Sequence, residues 1–183
     1  MRLSFLSGSY LILRLCFGAI FLLPPAGFAA DPAPVGDGTA PLNGKVFCEH
    51  VEQQAFALVN QYRKENELPP LAWDEAIARE ARVHSKAMAE GETGFGHSGF
   101  GDRAKRLSSL LPGFRGAGEN VLMTDDPDAV ADHAVTLWLH SPHHLKNIRG
   151  DFNYSAIGVW ENESGAIYFT QIFLKFQPAT NPG

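Results

Sequence analysis

Apolar residues recur at helical spacing from about Glu49 to Asn66, where Val51, Ala55, Phe56, Leu58, Val59 and Tyr62 share one side. Leu68-Pro69-Pro70 closes this first helix, because the residue before a proline avoids helical backbone. Asp74 starts a second helix that reaches about Glu90, with Ile77, Ala81, His84 and Met88 on one stripe and Gly91 as the stop. A glycine-rich loop, Gly94 to Gly101, precedes a short helix expected over Asp102 to Leu110. Gly116 to Met123 reads as a glycine-led strand, and Asp126-Pro127 opens a third long helix to about His140. Tyr154 to Glu161 and Ala166 to Phe176 alternate apolar and polar residues, with Asn162-Glu163-Ser164-Gly165 between them as a hairpin turn.

Helices come first and antiparallel strands late, a pattern that favours α+β over a parallel α/β sheet. Both final strands are rich in aromatic and aliphatic residues, so helices are expected on both faces of the sheet. Trp73, Ile77, Ala81, Met88, Val121, Trp138, Ile157, Val159, Ile172 and Phe173 are the expected core.

Residues 1–30 follow a different rule. Arg2 is followed by an apolar stretch from Leu15 to Leu23, then Pro24-Pro25, and small residues Gly27 and Ala29 before a cleavage point at Ala29 or Ala30. The stretch after Arg14 is too short to span a bilayer, and Leu15 before Cys16 does not suit a lipoprotein site. Residues 1–30 are therefore read as a signal peptide, residues 31–42 as a disordered Pro- and Gly-rich spacer, 43–177 as the domain and 178–183 as a flexible tail.

Export changes the charge. Arg2 and Arg14 leave with the signal, so the 15 basic residues of the chain become 13 against 20 acidic ones, a formal charge of −7. No basic run remains to track a phosphate backbone, so no nucleic-acid partner is expected. Repulsion from anionic lipid and the loss of the signal leave no stable membrane anchor. Cys48 is the one cysteine left after cleavage, which excludes an intramolecular disulfide. It is expected as a half-buried thiol on the first helix, with pairing between chains as the alternative.

Seven histidines invite a metal hypothesis. His97 sits in Phe95-Gly96-His97-Ser98-Gly99, where flanking glycines allow a sharp turn. From position alone, presenting its ring to a ligand and capping local backbone are equally good readings. Glu119, in Gly118-Glu119-Asn120-Val121, must be paired or hydrogen-bonded if buried. It can orient an imidazole or anchor a neighbouring loop, and taken alone the structural role wins. In His140-Ser141-Pro142-His143-His144, Ser141 and Pro142 suit the cap and first position of a new helix. His140 then ends the long helix, while His143 and His144 point about 100° apart in the first turn of the next. His84 on its apolar stripe is read as a hydrogen-bonded core histidine, and His50 and His133 as surface residues. No H-E-x-x-H helix, G-x-S-x-G elbow or phosphate-binding glycine loop occurs.

The ordered set Phe56-Ala57-Leu58-Val59-Asn60-Gln61-Tyr62-Arg63, Leu71-Ala72-Trp73-Asp74, Gly96-His97-Ser98, Ala117-Gly118-Glu119-Asn120, Trp138-Leu139-His140-Ser141-Pro142-His143-His144 and Ile157-Gly158-Val159 resembles the CAP (SCP) superfamily, of bacterial type. The resemblance runs from about Phe56 to Phe176. It implies a three-layer α-β-α sandwich with a central antiparallel sheet and a cleft holding two histidines and an acid. By similarity these are His97, Glu119 and His144, with His143 standing where bacterial relatives carry glycine. The second acid of eukaryotic members falls at Ser141, so the cleft is a triad, and the eukaryotic disulfides are absent. Both departures weaken any transfer of sterol or lipid binding.

The resemblance further implies that His97 and His144, supported by Glu119, hold zinc or another divalent ion with open positions. A secreted or periplasmic binding module is expected, monomeric, with an unidentified small ligand or extracytoplasmic partner. The alternative is a metal-dependent hydrolase of extracytoplasmic peptide or cell-envelope substrates.

Overall fold

The computed structural model describes residues 44–110 and 113–177. The expected signal peptide, spacer and tail lie outside the described residues.

Among the described residues, five helices and four strands follow in the order α1 (Gly44–Glu65), β1 (Ala72–Trp73), α2 (Glu75–Ala89), α3 (Phe100–Ser108), β2 (Phe114–Thr124), α4 (Val130–His140), α5 (Pro142–Ile148), β3 (Tyr154–Glu161) and β4 (Ile167–Phe176). The sheet order is β1-β3-β4-β2. The three long strands pair antiparallel, with Asn120 opposite Gln171 and Ile157 also opposite Gln171. β1, which the hydrophobic pattern did not reveal, is a two-residue edge strand parallel to β3. Two residues are too few to show an alternation.

Strand alternation sends successive side chains to opposite faces, and both faces are covered. On one, Ile157, Val159, Phe169 and Phe173 pack with Val51, Ala55 and Val59 of α1 and with Ala134 and Trp138 of α4. On the other, Ala156, Ile172 and Leu174 meet Ile77, Ala78 and Ala81 of α2 and Leu107 of α3. This is the α-β-α sandwich, with a separate apolar layer on each side of the sheet. Nine of the ten expected core residues are buried. Trp73 is the exception, half-buried because it lies on the short edge strand. Its ring stands edge-on to Phe56 at 5.1 Å and its Nε1–H donates to Glu75.

Local chemistry explains most element ends. The Asp74 carboxylate accepts from the backbone N–H groups of Ala76 and Ile77, capping α2. Asp126-Pro127 does not itself begin α4. It forms a turn in which Asp126 accepts from the N–H of Asp128, and the helix starts four residues on, after Ala129. Ser141 is extended at the head of α5 but its hydroxyl makes no capping bond. Pro142, which has no N–H to satisfy, occupies the first turn instead. Cys48 is buried, and burial pushes its thiol up to about 11, so it is an inert thiol at neutral pH.

Candidate functional site

β2 is the edge strand opposite β1, and residues 119 and 120 on it face opposite layers. Glu119 points toward the α2–α3 side. Its side chain is 1% exposed, yet both oxygens are satisfied. Oε1 accepts from His97 Nδ1 at 3.0 Å and from Arg103 Nη2 at 2.9 Å. Oε2 accepts from Arg103 Nε at 3.0 Å and Nη2 at 2.8 Å. Arg103, on α3 and 6% exposed, thus makes a buried two-pronged ion pair with the carboxylate.

The His97 ring does not cap local backbone here; its contact is the Glu119 carboxylate. A carboxylate can only accept, so Nδ1 of His97 carries the proton that it donates, and a neutral ring then keeps its Nε2 lone pair. The His97 side chain is 53% exposed. The loop that presents it is clamped on both sides. His84, buried on α2, meets the carbonyl of Gly96 through Nε2 at 2.7 Å. Arg103 Nη1 donates to the carbonyl of Ser98 at 2.7 Å. Gly99, with φ at +74°, turns the chain into α3 in a conformation that residues with a Cβ rarely adopt.

His84 is therefore the hydrogen-bonded interior histidine that its stripe predicts, with the added task of holding the loop. Arg103 was not singled out in the sequence. The available signal was Glu119 itself, since a buried carboxylate calls for a cation, but spacing cannot say which of many arginines supplies it.

His144 lies on the other side of the strand, in the first turn of α5. It is half-buried, whereas His143 is exposed, as their divergent directions predict. Among the described residues the His144 ring has no hydrogen-bond partner. Burial depresses its pKa below the ordinary histidine value, and the positive charges that His97 and His143 can carry lower it further. His97 is thus within electrostatic reach of His144. His140 ends α4 with Nδ1 on the carbonyl of Thr136, His133 lies 4.0 Å from Asp126, and His50 is exposed. None of these three joins the cluster.

Burial depresses His84 as well, with Arg103 and His97 adding to the effect. Both shifts have one sign for stability. In the unfolded chain these histidines take protons near pH 6.5, whereas in the folded chain they resist until lower pH. Between those limits the unfolded state binds more protons, so stability falls on acidification. Urea unfolding is expected to show a lower midpoint at pH 5.5 than at pH 7.5. His84→Gln should flatten that slope, and an unchanged slope would remove His84 from the account.

The donor set is short of a resident metal site. Glu119 is committed to Arg103 and His97, which leaves imidazole nitrogens alone. Among the described residues no group of three or more His, Cys, Asp or Glu side chains is placed to hold a metal ion. A hollow of about 550 Å³ near Cys48, Glu52, Arg82 and Trp160 contains no residue of the histidine cluster.

The model of the cysteine-rich secretory protein family matches residues 56–173. The chain belongs to the CAP family. The CAP segment runs from the second half of α1 through most of β4 and includes every member of the cluster. The protein named YkwD of Bacillus subtilis, itself uncharacterised, is 31% identical over 125 residues, covering 67% of this chain and 46% of that protein. An extracellular SCP-domain protein of Bacillus anthracis superposes with a TM-score of 0.61 at 34% identity, over 75% of this chain and 45% of the other. An outer surface protein of Borrelia burgdorferi shares the fold, with a TM-score of 0.59 at 19% identity over 68% and 92% of the two chains. The chain spans under half the length of the curated relatives it matches.

Proposed function

We propose that this CAP domain is an exported binding module in which His97 and His144 form the recognition pair and Glu119 supports it. The observation that carries this reading is the His97–Glu119–Arg103 chain. It spends buried charge on fixing the tautomer and angle of one half-exposed imidazole, which is how a ligand-facing nitrogen is held ready. The occupant is a small polar ligand or a divalent ion such as zinc. Two imidazoles fit an exchangeable ion, with fewer protein ligands than a resident zinc uses. When bound, such an ion supplies a Lewis-acid contact for a ligand oxygen.

A metal-dependent hydrolase would need a third ligand or a positioned base. Glu119 is occupied, and among the described residues His97 makes no hydrogen bond to a hydroxyl or thiol. Binding is therefore the better reading.

Calorimetric titration with zinc is expected to give saturable, modest binding. His97→Ala or His144→Ala should abolish it, and His143→Ala should leave it intact. Equal loss in the His143 and His144 variants would sink the pair assignment.

Secretion or a periplasmic location is supported by the leader-like residues 1–30 and by the extracellular B. anthracis relative. Among the described residues no helix is long and apolar enough to cross a membrane. N-terminal sequencing from the native host is expected to begin at Ala30 or Asp31. A cytoplasmic species that keeps Met1 overturns export.

A further inference from the structure

Asn120 follows Glu119 on β2 and is a fully buried polar residue. Its side chain faces the layer of α4 and α5. Nδ2 donates to the backbone carbonyl of His144 at 3.3 Å, and Oδ1 accepts from Asn147 Nδ2 at 2.9 Å. Asn147 Nδ2 also donates to the backbone carbonyl of Glu119 at 3.0 Å. Asn147 is three residues beyond His144 on α5, so strand and helix are tied at both ends of one helical turn. Two residues earlier on the same face, Gly118 lies so close to α5 that a Cβ there would stand 3.1 Å from Asn147 Oδ1 and 3.1 Å from the Phe152 ring.

A seven-residue helix does not hold its own geometry in water. Something outside it must set its position, and apolar contact alone permits sliding. The amide–amide bonds do not, because each has a direction and each unmet buried partner carries a penalty.

We infer that Asn120 is the positioning residue for His144, as Glu119 is for His97, so that two consecutive residues of one edge strand set the two imidazoles from opposite faces. This rests on the reading of His97 and His144 as one recognition pair. The spacing of the pair then follows from strand geometry, since both anchors stand on adjacent backbone positions of one strand. Asn120 need not touch the ligand.

The test is histidine-ring NMR and amide hydrogen exchange on the full chain, in Asn120→Ala and in Asn147→Ala. Asn147 is only half-buried, so its variant keeps the question open to measurement if Asn120→Ala does not fold. The His144 ring resonances are expected to shift while those of His97 stay in place. Amides of residues 143–148 should exchange about tenfold faster or more, as expected for a locally released element. Rings that move together, or a His144 ring that stays put in both variants, overturn the inference. No ligand is needed for these readouts. A wild-type chain that binds no zinc therefore defeats the metal branch of the recognition-pair reading without deciding whether Asn120 positions His144.

Discussion

Arg103→Ala is expected to lower unfolding stability at pH 7 by about 3–5 kcal/mol, the usual cost of leaving a buried charge without its partner. Glu119 loses three of its four hydrogen bonds in this variant and retains only the His97 ring. The carbonyl of Ser98 loses its donor at the same time, so the loop holding His97 is released on one side. Pairing Arg103→Met with Glu119→Gln removes both charges and should recover much of the loss. Denaturant unfolding at pH 7 decides the matter. A loss below about 1 kcal/mol, the range of exposed ion pairs, would mean that water reaches this pair.

Trp138→Ala is expected to cost about 3–5 kcal/mol as well, through a cavity rather than a charge. The ring has no solvent exposure and stands edge-on to Phe169 at 6.0 Å. It sits where α4 meets the sheet, among Ala134, Val135 and Phe169. Because the loss is packing, it should show little pH dependence. A near-neutral change in unfolding free energy would show that the layer repacks around the missing ring.

The two substitutions probe different parts of the same architecture. Trp138 holds a helix against the sheet by apolar contact. Arg103 holds a loop and a carboxylate by charge. α5 is held by a third means, the amides of Asn120 and Asn147. The cluster depends on the last two, which have direction, and this suits a site whose nitrogen positions matter more than its volume.

The long elements were legible in the chain because each declares itself over many residues. The stripe Ile77, Ala81, His84 and Met88 and the alternation of Tyr154 to Glu161 are periodic signals, and they place α2 and β3 within a residue of where they lie. Pro142 marked the break between α4 and α5, and with it the divergent directions of His143 and His144. His97 and Glu119 were legible as candidates through their glycine-rich surroundings and family resemblance. What the chain could not disclose was partnership. Arg103 is one of several arginines on exposed-looking helical positions, and only the packing of α3 beneath the loop selects it for Glu119. The capping of Gly96 by His84, the amides joining Asn120 to α5 and the parallel edge strand β1 are also contacts between residues distant in sequence. Periodicity reports which face a residue takes, since that follows from backbone geometry alone. It carries no information on which side chain from another element will lie opposite, because that is set when the layers close.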